Sequence, residues 1–401
     1  MNFLTSKKKV YLISLFTVFA SICIASAIGN YKYDLTTPVN RFTNKLYRVV
    51  TKANPSENVI MSPFSVHSLL SMLTLGTRSH TEIELLKALG YRDITYLTES
   101  YRNVLPLLKT INGAVINMAS KIYAAYDLKL NSQFLIAAQE VFSASASNID
   151  FNDNKAASAT INGWVETQTN NKINDLIPPS VIDPNTKMVL VNAIYFKGLW
   201  KKPFDPKRTL DVKFTTITGS EEDIQMMYQE DKFLYGSFPD LRAQVVELYY
   251  EQQDVSMVIV LPDDANNFSN VEKTLSTKNI FSDLLNEMSF EKIYLGVPKF
   301  KIELTLDLTE SLPHVGITSI FNSNADLSGL LKNVRNLAVT DAIHKAFIEV
   351  DEFGTTAAAA TAVVVGLGAT RYPVFICDRP FIFYIIEKQL GKILFVGKKV
   401  V

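Results

Sequence analysis

Apolar residues at Val66, Leu69, Leu70 and Leu73 recur at the three- and four-residue spacing of one helix face. Ser62-Pro63 opens that helix with a capping side chain and a proline placed where its missing N–H costs nothing; Gly76 closes it. Ser79-x-x-Glu82 reads as a capping box for a following helix that stops at Gly90. Further on the period changes. "MVLVNAIYF" (Met188 to Phe196) is almost unbroken apolar sequence, as in a strand buried on both faces. Its one interruption, Asn192, must find hydrogen-bond partners inside the protein. "SMVIVLP" (Ser256 to Pro262) and "YLGVPKF" (Tyr294 to Phe300) predict further strands. "FIFYIIE", a turn over Lys388 to Gly391 and "KILFVG" predict a hairpin. Helices early, strands late and mixed pairing point to an α+β fold.

The N-terminus has a different pattern. Lys7, Lys8 and Lys9 precede an apolar run from Val10 to Ile24, and Ala25-Ser26-Ala27 supplies a small-x-small cleavage site. Residues 1–27 therefore read as a secretory signal peptide, the run being short for a membrane span. No Pro/Gly/Ser-rich linker divides residues 28–401, which read as a single domain. Removing the leader takes three lysines from a chain of zero net charge and leaves 37 basic against 40 acidic residues, a net of −3. That balance, and scattered cations such as Arg41, Lys45, Arg48 and Lys52, suggest no nucleic-acid partner. Of two cysteines, Cys23 leaves with the leader, and Cys377 sits in apolar sequence as an inert thiol. Asn267-Phe268-Ser269 is a glycosylation sequon.

Enzyme signatures are scarce. There is no G-x-S-x-G, H-E-x-x-H or phosphate-binding loop, and no cofactor or metal is implied. Of the four histidines, His344 precedes an apolar strand-like run and reads as a buried, satisfied residue. The unusual stretch is "EFGTTAAAATAVVVGLGATR", Glu352 to Arg371, with eighteen uncharged residues, mostly Ala, Thr, Val and Gly, between its two charges. It is too small-sided for a good core helix and too apolar for an ordinary loop. A membrane segment is a poor alternative, since it is short of Leu and Ile and ends at Arg371-Tyr372-Pro373.

This stretch resembles the hinge of a serpin, the loop-inserting class of protease inhibitors, through Glu352, Phe353, Gly354, Thr355, Thr356, Ala357 to Ala360 and Thr361. The resemblance covers nearly the whole chain after the leader. "NVIMSPFSV" (Asn58 to Val66), "INGWVETQTNNKI" (Ile161 to Ile173), "VLVNAIYFKGLWKKPF" (Val189 to Phe204) and "MMYQEDKFLYG" (Met226 to Gly236) match in family order. "VPKFKIE" (Val297 to Glu303), "ADLSG" (Ala325 to Gly329), "IHKAFIEVDE" (Ile343 to Glu352) and "DRPFIFYI" (Asp378 to Ile385) continue it. Two departures stand out: Phe353 replaces the usual charged residue, and "FVGKKVV" lacks the usual proline near the terminus.

The resemblance implies a serpin fold with three β-sheets, about nine helices and an exposed reactive-centre loop over about residues 352–373. It implies a secreted, extracellular monomer, not an enzyme, that traps a serine protease covalently as its cut loop enters a β-sheet. Polymerisation is the side risk, because a mobile β-prone segment can enter a neighbour. Insertion explains the composition. Alternate strand residues, Thr355, Ala357, Ala359, Thr361 and Val363, would share the inward face, where a charge would cost several kcal/mol. Ala358 and Ala360 complete the small-sided run of the hinge. By residue match, Ser62, Ser65, Asn192 and His344 resemble the polar cluster below the point where the sheet opens, and Glu352 and Lys299 an ion pair beside the hinge. Family spacing places the scissile bond between Gly368 and Ala369, suiting an elastase-like pocket. Leu367 would suit a chymotrypsin-like protease and Arg371 a trypsin-like one. The rival reading is a non-inhibitory serpin acting as carrier, chaperone or storage protein; such members carry bulky, charged or proline residues in the hinge.

Overall fold

The computed structural model describes residues 33–109, 114–278, 280–332, 337–354, 372–389 and 391–401. Residues 35–401 form one compact unit. Nine α-helices occur among the described residues: α1 (Thr36–Ala53), α2 (Pro63–Leu75), α3 (Ser79–Leu89), α4 (Ile94–Lys109), α5 (Ser132–Phe142), α6 (Asn154–Gln168), α7 (Phe268–Thr277), α8 (Phe281–Glu287) and α9 (Leu308–Ser311). The strands are β1 (Val59–Met61), β2 (Ala114–Ala125), β3 (Ser145–Ile149), β4 (Met188–Gly198), β5 (Thr209–Thr215), β6 (Glu221–Phe238) and β7 (Ala243–Tyr249), followed by β8 (Val255–Pro262), β9 (Ser289–Pro298), β10 (Phe300–Asp307), β11 (Asp341–Val350), β12 (Val374–Ile376), β13 (Phe381–Glu387) and β14 (Lys392–Lys399).

Helix α2 begins as its sequence predicts: the Ser62 side chain accepts from the Ser65 N–H at 3.2 Å, with Pro63 at the first helical position. Nearly every residue of α2 is buried, so it runs through the core rather than along its edge. The capping box at Ser79 is not made. Arg78 is the N-cap without a side-chain bond, and the Ser79 hydroxyl donates instead to Asp326 across the chain. Ser79 is the first helical residue, one position too late to cap, so its hydroxyl is free to donate elsewhere.

Five strands form one sheet in the order β10-β11-β4-β2-β3. Its centre is unusual. β4 is antiparallel to β2 and β11 is antiparallel to β10, but β4 and β11 run parallel, from Val189 opposite Asp341 to Tyr195 opposite Phe347. One face packs on the main core, through Ala342, Ala346, Ile348 and Val350. The other carries Val191, Ala193, Tyr195, Ile343 and Phe347 into a smaller core with Ala157, Ile161 and Val165 of α6. Coverage on both faces is why β4 reads as a continuous apolar run.

The remaining strands form a nine-stranded hydrogen-bonded network, β1-β14-β13-β8-β7-β6-β9-β12, with β5 on β6. Two of the three expected sheets are joined here, because the eighteen-residue β6 pairs with β5 through its first half and with β7 through its second, while β9 follows it along most of its length. The hairpin expected at the C-terminus is β13–β14. "YLGVPKF" is not one strand: Lys299 separates β9 from β10, where the chain passes from the larger network to the five-stranded sheet. That crossing sets Lys299 beside the end of β11.

Candidate functional site: the hinge and the seam between two parallel strands

Below the middle of the β4–β11 pair, Asn192 and His344 are direct cross-strand partners. His344 Nε2 accepts from the Ser62 N–H at 3.1 Å, so its proton sits on Nδ1, which donates to Asn192 Oδ1 at 2.6 Å. The Ser65 hydroxyl lies 2.7 Å from the same Asn192 oxygen, and Asn192 Nδ2 donates to Ser120 Oγ at 2.8 Å. The Ser62 hydroxyl donates to the Leu394 carbonyl. Complete burial lowers the His344 pKa to about 3, which keeps the ring neutral. The four residues expected to cluster therefore do meet, and they clasp β4 to β11 and both to the start of α2. Ser120, on β2, was not foreseen; nothing local distinguishes it from any other serine in a strand.

The hinge stands at the end of β11. Asp351 and Gly354 form an antiparallel bridge across a two-residue turn, so the chain has already reversed at Gly354. Gly354 has φ +111°, and a Cβ there would lie 2.1 Å from the Gly198 carbonyl oxygen. Only glycine fits. The segment just after β4 grips the turn: Trp200 N–H donates to the Phe353 carbonyl (3.0 Å), Phe204 N–H to the Glu352 carbonyl (2.7 Å), and the Trp200 indole to the Asp351 carbonyl (2.9 Å). Trp200 is fixed in turn by stacking on Tyr250 at 4.5 Å. Gly198 makes this close packing possible, since a Cβ there would collide with the Tyr250 ring at 2.5 Å. The sequence reading missed Gly198; its position at the end of an apolar strand was the available signal.

Lys299 Nζ lies 3.1 Å from Glu352 Oε2, and Thr209 donates to Oε1 at 2.8 Å. Burial raises the Glu352 pKa, but its own backbone amide, Thr209 and Lys299 outweigh that and hold it below the ordinary value.

Other sites stand differently. The expected leader, residues 1–27, lies outside the described residues, as do Thr355, Ala357, Ala358, Ala359, Ala360 and Thr361 of the expected arm, and Leu367, Gly368, Ala369 and Arg371 around the expected scissile bond. Asn267 was expected to carry a glycan if its sequon is used. In the fold it is only 5% exposed, and its Nδ2 donates to the Leu241 and Arg242 carbonyls at 3.1 Å. The nitrogen that would hold the sugar faces inward, so the folded protein argues against that use. Cys377 is buried, and burial pushes its thiol pKa up, in keeping with an inert role. Among the described residues no helix is long and apolar enough to cross a membrane, and no cluster of metal-binding side chains occurs.

A sheet buried on both faces with a parallel central pair, a polar clasp beneath it and a reversing turn at the end of β11 make up the architecture expected of a serpin. Comparison agrees. The family model for Serpin (serine protease inhibitor) matches residues 37–401. Antitrypsin of Bombyx mori is 35% identical over 390 residues, 96% of this chain and 98% of that one. The leukocyte elastase inhibitor of Sus scrofa is 34% identical over 375 residues, 91% of this chain and 98% of that one. The crystal structure of Serpin48 from Tenebrio molitor superposes with TM-score 0.84 at 32% identity, covering 93% of this chain and all of that one. The chain belongs to the serpin family.

Proposed function

We propose that this serpin is a secreted suicide inhibitor of a serine protease, and that cutting its exposed arm drives the arm into the seam between β4 and β11. One observation carries this reading: Gly354 already runs back along β11, at the open end of a parallel strand pair. A chain continuing from Gly354 would be antiparallel to β11 and therefore to β4. Insertion would exchange one parallel ladder for two antiparallel ones, and antiparallel pairing is the slightly more stable per residue. Serpin loop insertion is itself a recognised instance of strand addition and of strain release.

The register makes the reading specific. Extending the Asp351–Gly354 pairing residue by residue brings Thr361 opposite His344. Thr355, Ala357, Ala359 and Val363 fall opposite Val350, Ile348, Ala346 and Ala342, all of which face the main core. The small side chains of the arm thus meet the crowded face, and of the two hydroxyls there, Thr355 and Thr361, the second meets the polar clasp. Separating β4 from β11 breaks the His344–Asn192 bond, and Thr361 stands where a replacement is needed.

The protease serine would attack the carbonyl of the residue before the cut, release the new amine and remain as an acyl-enzyme. About a dozen arm residues, at roughly 0.5–1.5 kcal/mol per net hydrogen bond, release on the order of 10 kcal/mol. That rivals the roughly 5–15 kcal/mol holding a typical domain together. It is enough to distort the tethered protease, and loss of one oxyanion-hole donor alone slows turnover about 100- to 1,000-fold. Lys299 and Glu352 act as the latch that steadies the turn beforehand. Gly368 as the residue before the cut suits a shallow, elastase-like pocket; Leu367 would suit a chymotrypsin-like and Arg371 a trypsin-like protease.

The test is incubation with proteases of the three pocket types. The expected result is a complex that survives boiling in detergent, with mass spectrometry of the released peptide beginning at Ala369. Clean cleavage with no covalent complex would identify a non-inhibitory serpin instead.

A further inference from the structure

Beside the hinge, on the far side of Trp200, the structure holds a cavity of about 90 Å³. Its apolar lining comes from Phe233, Leu248 and Phe290, the last 64% exposed at the mouth. Its polar lining is predominantly cationic. Lys202 is neutralised by Asp231 at 2.7 Å, and Glu247, buried in the lining, by Lys388 and the Ser256 hydroxyl. Lys201 and Lys232 have no carboxylate partner among the described residues. Gln229 Nε2 also lines the cavity, buried and without a hydrogen-bond acceptor among the described residues. A buried donor left unmatched is costly and calls for a partner.

Two unneutralised cations, an orphan donor and apolar walls specify one ligand chemistry: a small aromatic ring bearing a carboxylate. An engineered, enclosed apolar cavity of about 150 Å³ holds benzene; this one is smaller, about 90 Å³, but open at its mouth, so a single ring fits with its anionic end toward solvent. The same Trp200 that bounds the cavity grips Phe353 and Asp351 through its two N–H groups. We propose that this cavity binds a small aromatic carboxylate and that occupancy holds Trp200 against Tyr250, restraining the hinge. This second half rests on the inhibitory reading above; the binding half does not. Gly354 lies against Gly198, Leu199 and Trp200, so an arm entering the seam must disturb the grip that the ligand would reinforce.

Benzoate is the probe, with benzyl alcohol and benzylamine as neutral and cationic controls. Trp164→Phe leaves Trp200 as the sole indole in the chain. Benzoate is expected to shift its emission saturably, with a dissociation constant of roughly millimolar order for so few atoms. Calorimetry on the unaltered chain is the second readout. Gln229→Leu, or Lys201→Ala with Lys232→Ala, should weaken binding about tenfold, and the controls should not bind. Absence of saturable benzoate binding, or equal binding of benzylamine, overturns the site. By reciprocity, a ligand that disfavours insertion must bind the arm-inserted form more weakly than the intact chain, by the factor through which it shifts the insertion equilibrium. Equal affinities for intact and cut chain, when the cut chain has gained heat resistance, overturn the coupling. If the cut chain gains none, inhibition by insertion fails and the coupling with it, while binding to the intact chain still stands or falls on its own titration.

Discussion

At the scale of single residues, the chemistry of this protein is set by side chains that burial holds in one state. His344 and His67 are both fully buried and neutral, but in opposite tautomers. His344 keeps its proton on Nδ1 for Asn192. His67 directs Nε2 at the Leu89 carbonyl (3.0 Å) and accepts the Tyr101 hydroxyl on Nδ1 (2.6 Å). Burial lowers their pKa values to about 3 and about 4, in His67 against the raising effect of the Leu89 carbonyl. Because both are depressed below the unfolded value of about 6.5, the unfolded chain binds more protons in acid. Their contribution to stability is complete above about pH 6.5 and declines as pH falls toward 4. The slope is about 1.4 kcal/mol per pH unit for each histidine. Glu352, held below its ordinary value, adds a loss at lower pH, as the latch to Lys299 protonates. Thermal midpoints at pH 7.5, 6.5 and 5.5 should therefore drop, most steeply over the last interval; a flat profile would show that neither ring is held neutral. Asn267 makes a second residue-scale prediction. Its inward amide should leave the mass of the chain, expressed through a secretory pathway, unchanged by a glycan-removing amidase.

At the scale of elements, the hinge is a joint between β11 and the end of β4. Gly354→Ala introduces a methyl within 2.1 Å of the Gly198 oxygen at a positive φ. It should cost roughly 1–3 kcal/mol and lower the thermal midpoint by several degrees. On the proposed insertion, it should also raise the number of inhibitor molecules consumed per protease trapped, since the arm would enter from that seat. Thr361→Val separates the two states of the same joint. The uncut protein should melt as before, whereas the cut form should lose about 1–3 kcal/mol for leaving the clasp without its hydroxyl. Melting curves of both forms, taken side by side, check this. Equal loss in cut and uncut protein would mean that Thr361 never reaches His344.

At the scale of the whole molecule, the five-stranded sheet is covered on both faces, so an arm entering between β4 and β11, as proposed, would have to come in along the strands. Cutting the arm should raise the thermal midpoint markedly, and the same segment offered by a neighbouring molecule should fill the seam on gentle heating. Size-exclusion chromatography after warming would show oligomers. A synthetic peptide of residues 355–368, added first, should suppress them by occupying the seam. If warming yields only unfolded aggregate and the peptide has no effect, the seam is not the entry point.

Much of this protein is legible along the chain, for a local reason. The cap at Ser62, the C-terminal hairpin and the doubly buried β4 follow from spacing over a few residues, where backbone geometry dictates which positions face inward. Asn192 announced itself as a polar group that would need partners. Which partners Asn192 takes, Ser120 and His344, depends on how β2, β4 and β11 lie side by side, and no periodicity carries that. The same holds where local expectation gave way: Ser79 abandoned its capping box for Asp326, Lys299 split a predicted strand in two, and Asn267 turned its amide inward. Sequence patterns decide which face of an element is buried, because that choice is made within one turn or one pleat. Folding decides who meets across the interface, because residues such as Ser62 and His344, 282 positions apart, are brought together only when the packing of the whole core leaves them no other neighbour.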